Sequence, residues 1–141
     1  MQDIKLNQDK GYWDINFSNG DFELTDTIET ALFMSVLCEK QAKQSQVANP
    51  LLRRGHFSNE FYTKELGSFL WYYTYQHKVD NIVLQNAKKT ISDSLQWLIN
   101  EGFVNSVDIA VSKVNENTIQ IEIELKGETS NPQYYNLVVK I

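Results

Sequence analysis

Residues 79–125 read VDNIVLQNAKKTISDSLQWLINEGFVNSVDIAVSKVNENTIQIEIEL, and their periodicity decides the fold. Asp80 is a favourable helix N-cap, because its side chain can accept from the free N–H groups of a first turn. Val79 before it and Leu84 after it are spaced for a hydrophobic staple. Leu84, Ala87, Ile91, Leu95 and Leu98 recur at three- and four-residue steps, which predicts one long amphipathic helix. Gly102 is placed to end it, since glycine takes a positive φ without a Cβ penalty. The period then changes from 3.6 to 2. Val107, Ile109 and Val111 alternate with Asp108, Ala110 and Ser112. Beyond Asn115-Glu116-Asn117, Ile119, Ile121, Ile123 and Leu125 alternate with Gln120, Glu122 and Glu124. That pattern predicts a hairpin with one apolar and one polar face. A helix stripe and a one-sided sheet bury each other.

Working outward toward the C-terminus, residues 127–132 read as a loop and residues 134–141 as a last strand ending on Ile141. Toward the N-terminus, residues 65–76 are rich in aromatics, and the reading stays open between a short helix and a partly extended segment. Residues 45–62 are irregular. Pro50 excludes a continuing helix and drives Asn49 out of the α region. Residues 26–39 read as a helix, with Asp26 as N-cap and Glu29 completing a capping box. Its apolar side carries Ile28, Ala31, Leu32, Ser35 and Val36 and runs on to Glu39. Residues 1–24 read as short strands, with a turn at Gln8-Asp9-Lys10-Gly11 and a two-residue hairpin loop at Asn19-Gly20. The expected fold is α+β: a single domain over residues 1–141, with a mixed or antiparallel sheet built from N- and C-terminal strands packed on about three central helices.

Composition bounds the function. The 141 residues carry a net charge of −5, with 42% hydrophobic and 22% charged residues. This is the composition of a globular domain. No basic run offers a grip on a phosphate backbone or an anionic membrane, so neither nucleic acid nor membrane is expected as a partner. The single cysteine, Cys38, allows no internal disulfide. Neither a secretory leader nor an apolar run of transmembrane length is legible, so a soluble cytosolic chain is expected.

The motifs of catalysis are thin. His56, His77 and Cys38 have no metal-ligand spacing, so no metal site is expected. Cys38 falls in an apolar helix, where a thiol behaves as a small hydrophobe. Neither a nucleophile elbow nor a phosphate-binding glycine loop is present, and no cofactor is expected. Paired carboxylates of glycosidase type remain formally open, with Glu60 and Glu65 the nominees. Acidic side chains on turns and polar strand faces are more often solvated, so the chain is expected not to be an enzyme.

Three features suit contacts instead. Arg53 and Arg54 precede Gly55 in an otherwise acidic chain, and guanidinium groups favour carboxylate pairing and aromatic stacking. They fit a partner contact or an intramolecular pin for the loop. Phe57, Phe61, Tyr62, Phe69, Trp71, Tyr72, Tyr73 and Tyr75 exceed what a small core absorbs, and tyrosine is enriched at interfaces. The final strand, with Tyr134, Tyr135, Leu137, Val139 and Ile141, either lies inside this domain's sheet or offers an edge to another chain.

Taken together, Asp3-Ile4, the Gly20-Asp21 turn with Leu24, Glu29-Thr30-Ala31, Arg53-Arg54-Gly55, Gly67-Ser68 with Leu70-Trp71, and Leu95, Trp97-Leu98 and Gly102 resemble the small baseplate-wedge proteins of contractile-tailed phages, in the Mu-like branch. The resemblance spans nearly the whole chain. Its most specific part is Arg-Arg-Gly followed by Gly-Ser-x-Leu-Trp. It implies a structural α+β subunit of a tail baseplate that binds other wedge proteins and helps seed the sheath by strand exchange with sheath subunits. It implies residence in the virion, with assembly in the host cytoplasm. A related branch carries an acidic-lysozyme label, but no catalytic pair can be matched here. The family typically continues Arg-Arg-Gly with two tryptophans and Gly-Asp, where this chain has His56-Phe57-Ser58-Asn59-Glu60. The rival readings are a lysozyme-type cell-wall hydrolase and a small acidic adaptor or immunity protein.

Overall fold

The structure is a computed structural model and describes residues 2–9, 12–25, 28–56, 65–75 and 78–141. Helix α3 (Asn81–Asn100) is its axis. Asp80 caps it as the sequence predicts, its Oδ1 accepting from the Val83 N–H at 2.8 Å. At the far end Gly102 takes φ +77°. The N–H of Phe103 bonds the Leu98 carbonyl at 2.9 Å and that of Gly102 bonds the Ile99 carbonyl at 3.0 Å. These two bonds are the Schellman closure, which satisfies carbonyls that a helix end otherwise leaves open. The buried stripe is Val83, Ala87, Thr90, Ile91, Leu95 and Leu98; Leu84 is half-buried at its margin.

That stripe packs on a three-stranded antiparallel sheet, β7 (Ser106–Asn115), β8 (Thr118–Lys126) and β9 (Gln133–Lys140), ordered β7-β8-β9. The register puts Ile109 opposite Ile123 and Ile121 opposite Leu137; the alternation predicted for the hairpin holds on β7 and β8, and β9 follows it. Ile91, Leu95, Leu98, Ile119, Ile121, Ile123, Leu125 and Leu137 are almost wholly removed from water. Each contributes about 2 kcal/mol of burial energy. The opposite face stays in solvent, with Glu122, Asn136 and Val138 exposed.

Helix α1 (Glu29–Leu37) adds Leu32, Phe33 and Val36 to the core. It is shorter than the sequence suggests. Ile28 stands at its N-cap position without a side-chain cap, and Asp26 lies outside the described residues. At the other end Cys38 turns extended, and Glu39 forms a parallel bridge with Ser68 instead of a last helical turn. The bridge takes the backbone there: Ser68 N–H to Cys38 O at 3.0 Å and Lys40 N–H to Ser68 O at 3.0 Å. The aromatic segment resolves into a short helix, α2 (Leu70–Thr74).

The N-terminal residues form β1 (Asp3–Ile4), β2 (Leu6–Asp9), β3 (Tyr12–Ile15), β4 (Phe17–Ser18), β5 (Asp21–Phe22) and β6 (Leu24–Thr25). The predicted Asn19-Gly20 turn is present, both residues at positive φ. The α+β class holds, but the two ends do not share a sheet. β1 pairs β6, β2 pairs β3 and β4 pairs β5. The strands are two to four residues long, and Leu6 and Trp13 turn into the core. Trp13 meets Phe33 at 4.6 Å between ring centres, and Phe33 meets Tyr135 edge-on at 6.1 Å. Seating on side chains lays the hairpin against the core without extending the β9 ladder.

Candidate interaction sites

Two places gather the residues singled out in the sequence. The first is built where the Arg-Arg-Gly and Gly-Ser-x-Leu-Trp segments converge on residues 38–42. The 3₁₀ turn Pro50–Leu52 opens with Asn49 extended, its Oδ1 accepting from the Leu51 N–H at 3.0 Å. Arg53 follows and folds back. Its Nε donates to the Val47 carbonyl at 2.8 Å and its Nη2 to the Ala48 carbonyl at 2.8 Å. Its own carbonyl accepts from Ala42 at 3.0 Å. Arg54 sits at φ +54° and Gly55 at φ +118°. A Cβ on Gly55 would stand 2.9 Å from the Gln41 Cβ, so the strand-like passage of these segments requires a glycine.

Arg54 reaches across to α2. Its Nη1 bonds Glu39 Oε1 at 2.7 Å, and its guanidinium lies 4.9 Å from the Trp71 ring centre and 4.8 Å from that of Tyr75. The indole N–H of Trp71 donates to the Lys40 carbonyl at 2.8 Å. Gly67 makes the approach possible: at φ +101° its missing Cβ would lie 2.3 Å from the Cys38 carbonyl oxygen. Ser68 then donates its hydroxyl to the Val36 carbonyl at 2.6 Å, and Phe69 N–H bonds Thr90 Oγ1 at 2.8 Å, tying α2 to α3. Both guanidiniums are therefore engaged within the chain. Around them the surface is apolar and open: Leu51 is 91% exposed, Leu52 61% and Tyr75 67%. Phe57, Phe61, Tyr62, Glu60 and His77 lie outside the described residues, and Glu65 pairs with Lys40 at 3.1 Å. Glu39, Leu51 and Leu52 went unremarked as site residues in the sequence. Trp71, at the end of the Gly-Ser-x-Leu-Trp segment that follows Arg-Arg-Gly, was the available signal for the stacking partner.

The second place is the outer edge of β9. Val138 turns both its N–H and its C=O away from β8, toward Gln8. Alternate residues of an antiparallel ladder point the same way. Tyr134, Asn136 and Lys140 therefore direct their backbone groups outward as well. Among the described residues no strand pairs with that edge. The side chains of Tyr135, Leu137, Val139 and Ile141 pack against the core, Leu137 without exposure. Of the predicted set only Tyr134 stands on the solvent face. Its hydroxyl donates to Glu124 Oε1 at 3.0 Å, and that bond, with the nearby negative charge, raises the phenol's pKa. Lys126 is raised too, chiefly by its hydrogen bond to Asp108 at 3.0 Å.

Among the described residues no three His, Cys, Asp or Glu side chains gather in a set able to hold a metal, and no helix is long and apolar enough to cross a membrane. A family model described as phage protein GP46 matches residues 28–132, and the chain belongs to this family. The match takes in the arginine loop, the helices, β7 and β8. No curated protein matches the chain.

Proposed function

We propose that this phage protein is a non-enzymatic structural subunit of a contractile-tail baseplate, which binds other wedge proteins through the surface around the arginine loop and seeds the sheath by strand exchange at β9. One observation carries the reading: β9 is an edge strand whose outward N–H and C=O groups form a template for an added strand. The family match supports a phage role, and the exposed Leu51, Leu52 and Tyr75 support a protein partner beside Arg54. The partners under this reading are wedge proteins and sheath subunits, within the virion and, during assembly, the host cytoplasm.

Removing residues 134–141 would not test this, because Leu137 is core. Asn136→Pro deletes one outward N–H and leaves the bonds toward β8, a position that edge strands tolerate. Tyr134→Pro serves as a second variant. Thermal melting establishes that each variant is folded, and electron microscopy of tails from a complemented assembly-deficient phage gives the readout. Loss of sheathed tails with a folded subunit is expected. Normal tails carrying either variant overturn the strand-exchange reading, and clearing of peptidoglycan by the purified protein overturns the non-enzymatic one.

A further inference from the structure

The carboxamide of Gln8 makes two bonds to a single residue of the β9 edge. Its Nε2 donates to the Val138 carbonyl at 2.5 Å, and its Oε1 accepts from the Val138 N–H at 3.2 Å. A primary amide presents a donor and an acceptor side by side, the same pair that the N–H and C=O of one residue in a neighbouring antiparallel strand would offer. Gln8 therefore stands where the backbone of an added strand would stand. It comes from β2, which is not part of the β7-β8-β9 sheet.

The β2–β3 hairpin that carries Gln8, and β1 just before it, are held by other means. Thr30 donates its hydroxyl to the Ile4 carbonyl at 2.6 Å, and Trp13 and Leu6 pack into the core beside Phe33. A rotation of the Gln8 side chain would free the edge without unseating the hairpin. The bonds it gives up are exposed, so water replaces them at small net cost.

We infer that Gln8 is a side-chain stopper on the β9 edge, holding the seat of an extended backbone segment from a partner and yielding to it on assembly. The inference rests on the strand-exchange reading above, and it adds the residue that keeps the edge closed beforehand. Edge strands with open backbone groups self-associate unless something blunts them. An amide that satisfies the N–H and C=O of Val138 blunts the edge there without adding a strand.

Two substitutions separate the parts. Gln8→Ala removes both bonds. Gln8→Glu keeps an acceptor for the Val138 N–H but faces the Val138 carbonyl with a second oxygen. Amide hydrogen exchange on the full chain reads the edge directly. In Gln8→Ala the Val138 amide is expected to exchange about tenfold faster, while Leu137 and Val139, bonded toward β8, stay protected. Gln8→Ala mixed with the sheath protein of the same phage is expected to nucleate sheath at a lower sheath concentration than the parent chain. Unchanged Val138 exchange overturns the inference, and so does loss of protection at Leu137 and Val139, which would make Gln8 a brace of the sheet. Selective opening at Val138 with unaltered nucleation overturns the stopper if Asn136→Pro blocks sheathing. If Asn136→Pro has no effect, the strand-exchange reading has failed instead.

Discussion

Arg54 and Trp71 are stacked, with the guanidinium carbon 4.9 Å from the indole ring centre, and the same guanidinium bonds Glu39 at 2.7 Å. The contact joins a loop residue at positive φ to the first turn of α2, and both are anchored on the segment that follows α1.

Lysine cannot reproduce this arrangement, because an ammonium lacks the planar fork that stacks while it bonds. Arg54→Lys is expected to lower stability by about 0.5–1 kcal/mol and Arg54→Ala by about 1–2 kcal/mol, figures kept small because the side chain is partly in water. Urea unfolding measures both. Equal stability of Arg54→Ala and the parent chain would show that the cluster carries no folding energy.

Gly67 makes the closest backbone approach among the described glycines. Gly67→Ala would place a Cβ 2.3 Å from the Cys38 carbonyl oxygen at φ +101°. The expected loss is about 3 kcal/mol or more, since backbone must shift and the residue is strained in place. Gly102→Ala is the comparison. It has φ +77° with nothing within 4 Å, so about 1 kcal/mol is expected from conformation alone. Similar melting temperatures for the two variants would contradict the close approach.

The N-terminal hairpin should loosen in acid before the core does. The Glu23 carboxylate accepts from Lys5 at 2.9 Å and from Asn16 at 2.9 Å, and these bonds lower its pKa. A carboxyl held lower in the folded state stabilises above its unfolded value, and that contribution disappears as pH falls through the lowered one. Lys5 is raised by the same pair, so its contribution is present at neutral pH and lost only as strongly basic pH passes its raised value. Ring resonances of Phe17 and Phe22, tilted against each other at 4.8 Å between ring centres, report the change. A pH-independent spectrum between 6 and 2 would refute the linkage.

Cys38 should be a sluggish thiol. Burial is the main cause that pushes its pKa up, with the Glu39 charge adding to it, and the reactive form is the thiolate. At pH 8 its reaction with a disulfide reagent is expected to run several-fold slower than that of free glutathione. Addition of urea should restore the ordinary rate.

The parts legible in the sequence were those whose signals repeat. α3 carries a stripe, a cap at Asp80 and a stop at Gly102, β7 alternates over Val107, Ile109 and Val111, and β8 alternates without a break over Ile119, Ile121, Ile123 and Leu125. The end of α1 was not legible, because the apolar side runs on to Glu39 in the sequence while a bridge to Ser68 captures the backbone. That bridge depends on residues nearly thirty positions away. The separation of the N-terminal strands from the main sheet was hidden for the same reason: their local pairing follows from turns such as Asn19-Gly20, but their docking follows from Trp13 meeting Phe33. The interaction sites were half visible. Arg53 and Arg54 stood out by charge, whereas the partners of Arg54 lie on other elements. Gln8 reads in the sequence as the start of a turn, yet it lies in β2 opposite Trp13, with Lys10 and Gly11 outside the described residues; its contact with Val138 spans 130 positions and leaves no local signal.

Helix α3 has a mechanical consequence. Twenty residues at 1.5 Å each make a rod about 30 Å long. It is tied to the hairpin beneath it at both ends, through Val79 N–H to Glu116 O at 3.2 Å and Asn105 N–H to Lys126 O at 2.7 Å. Rod and hairpin thus form a braced truss in which the two ends keep a fixed separation. A pull applied at the β7–β8 turn is delivered to the opposite end as axial load, carried by a closed frame instead of a single bending element.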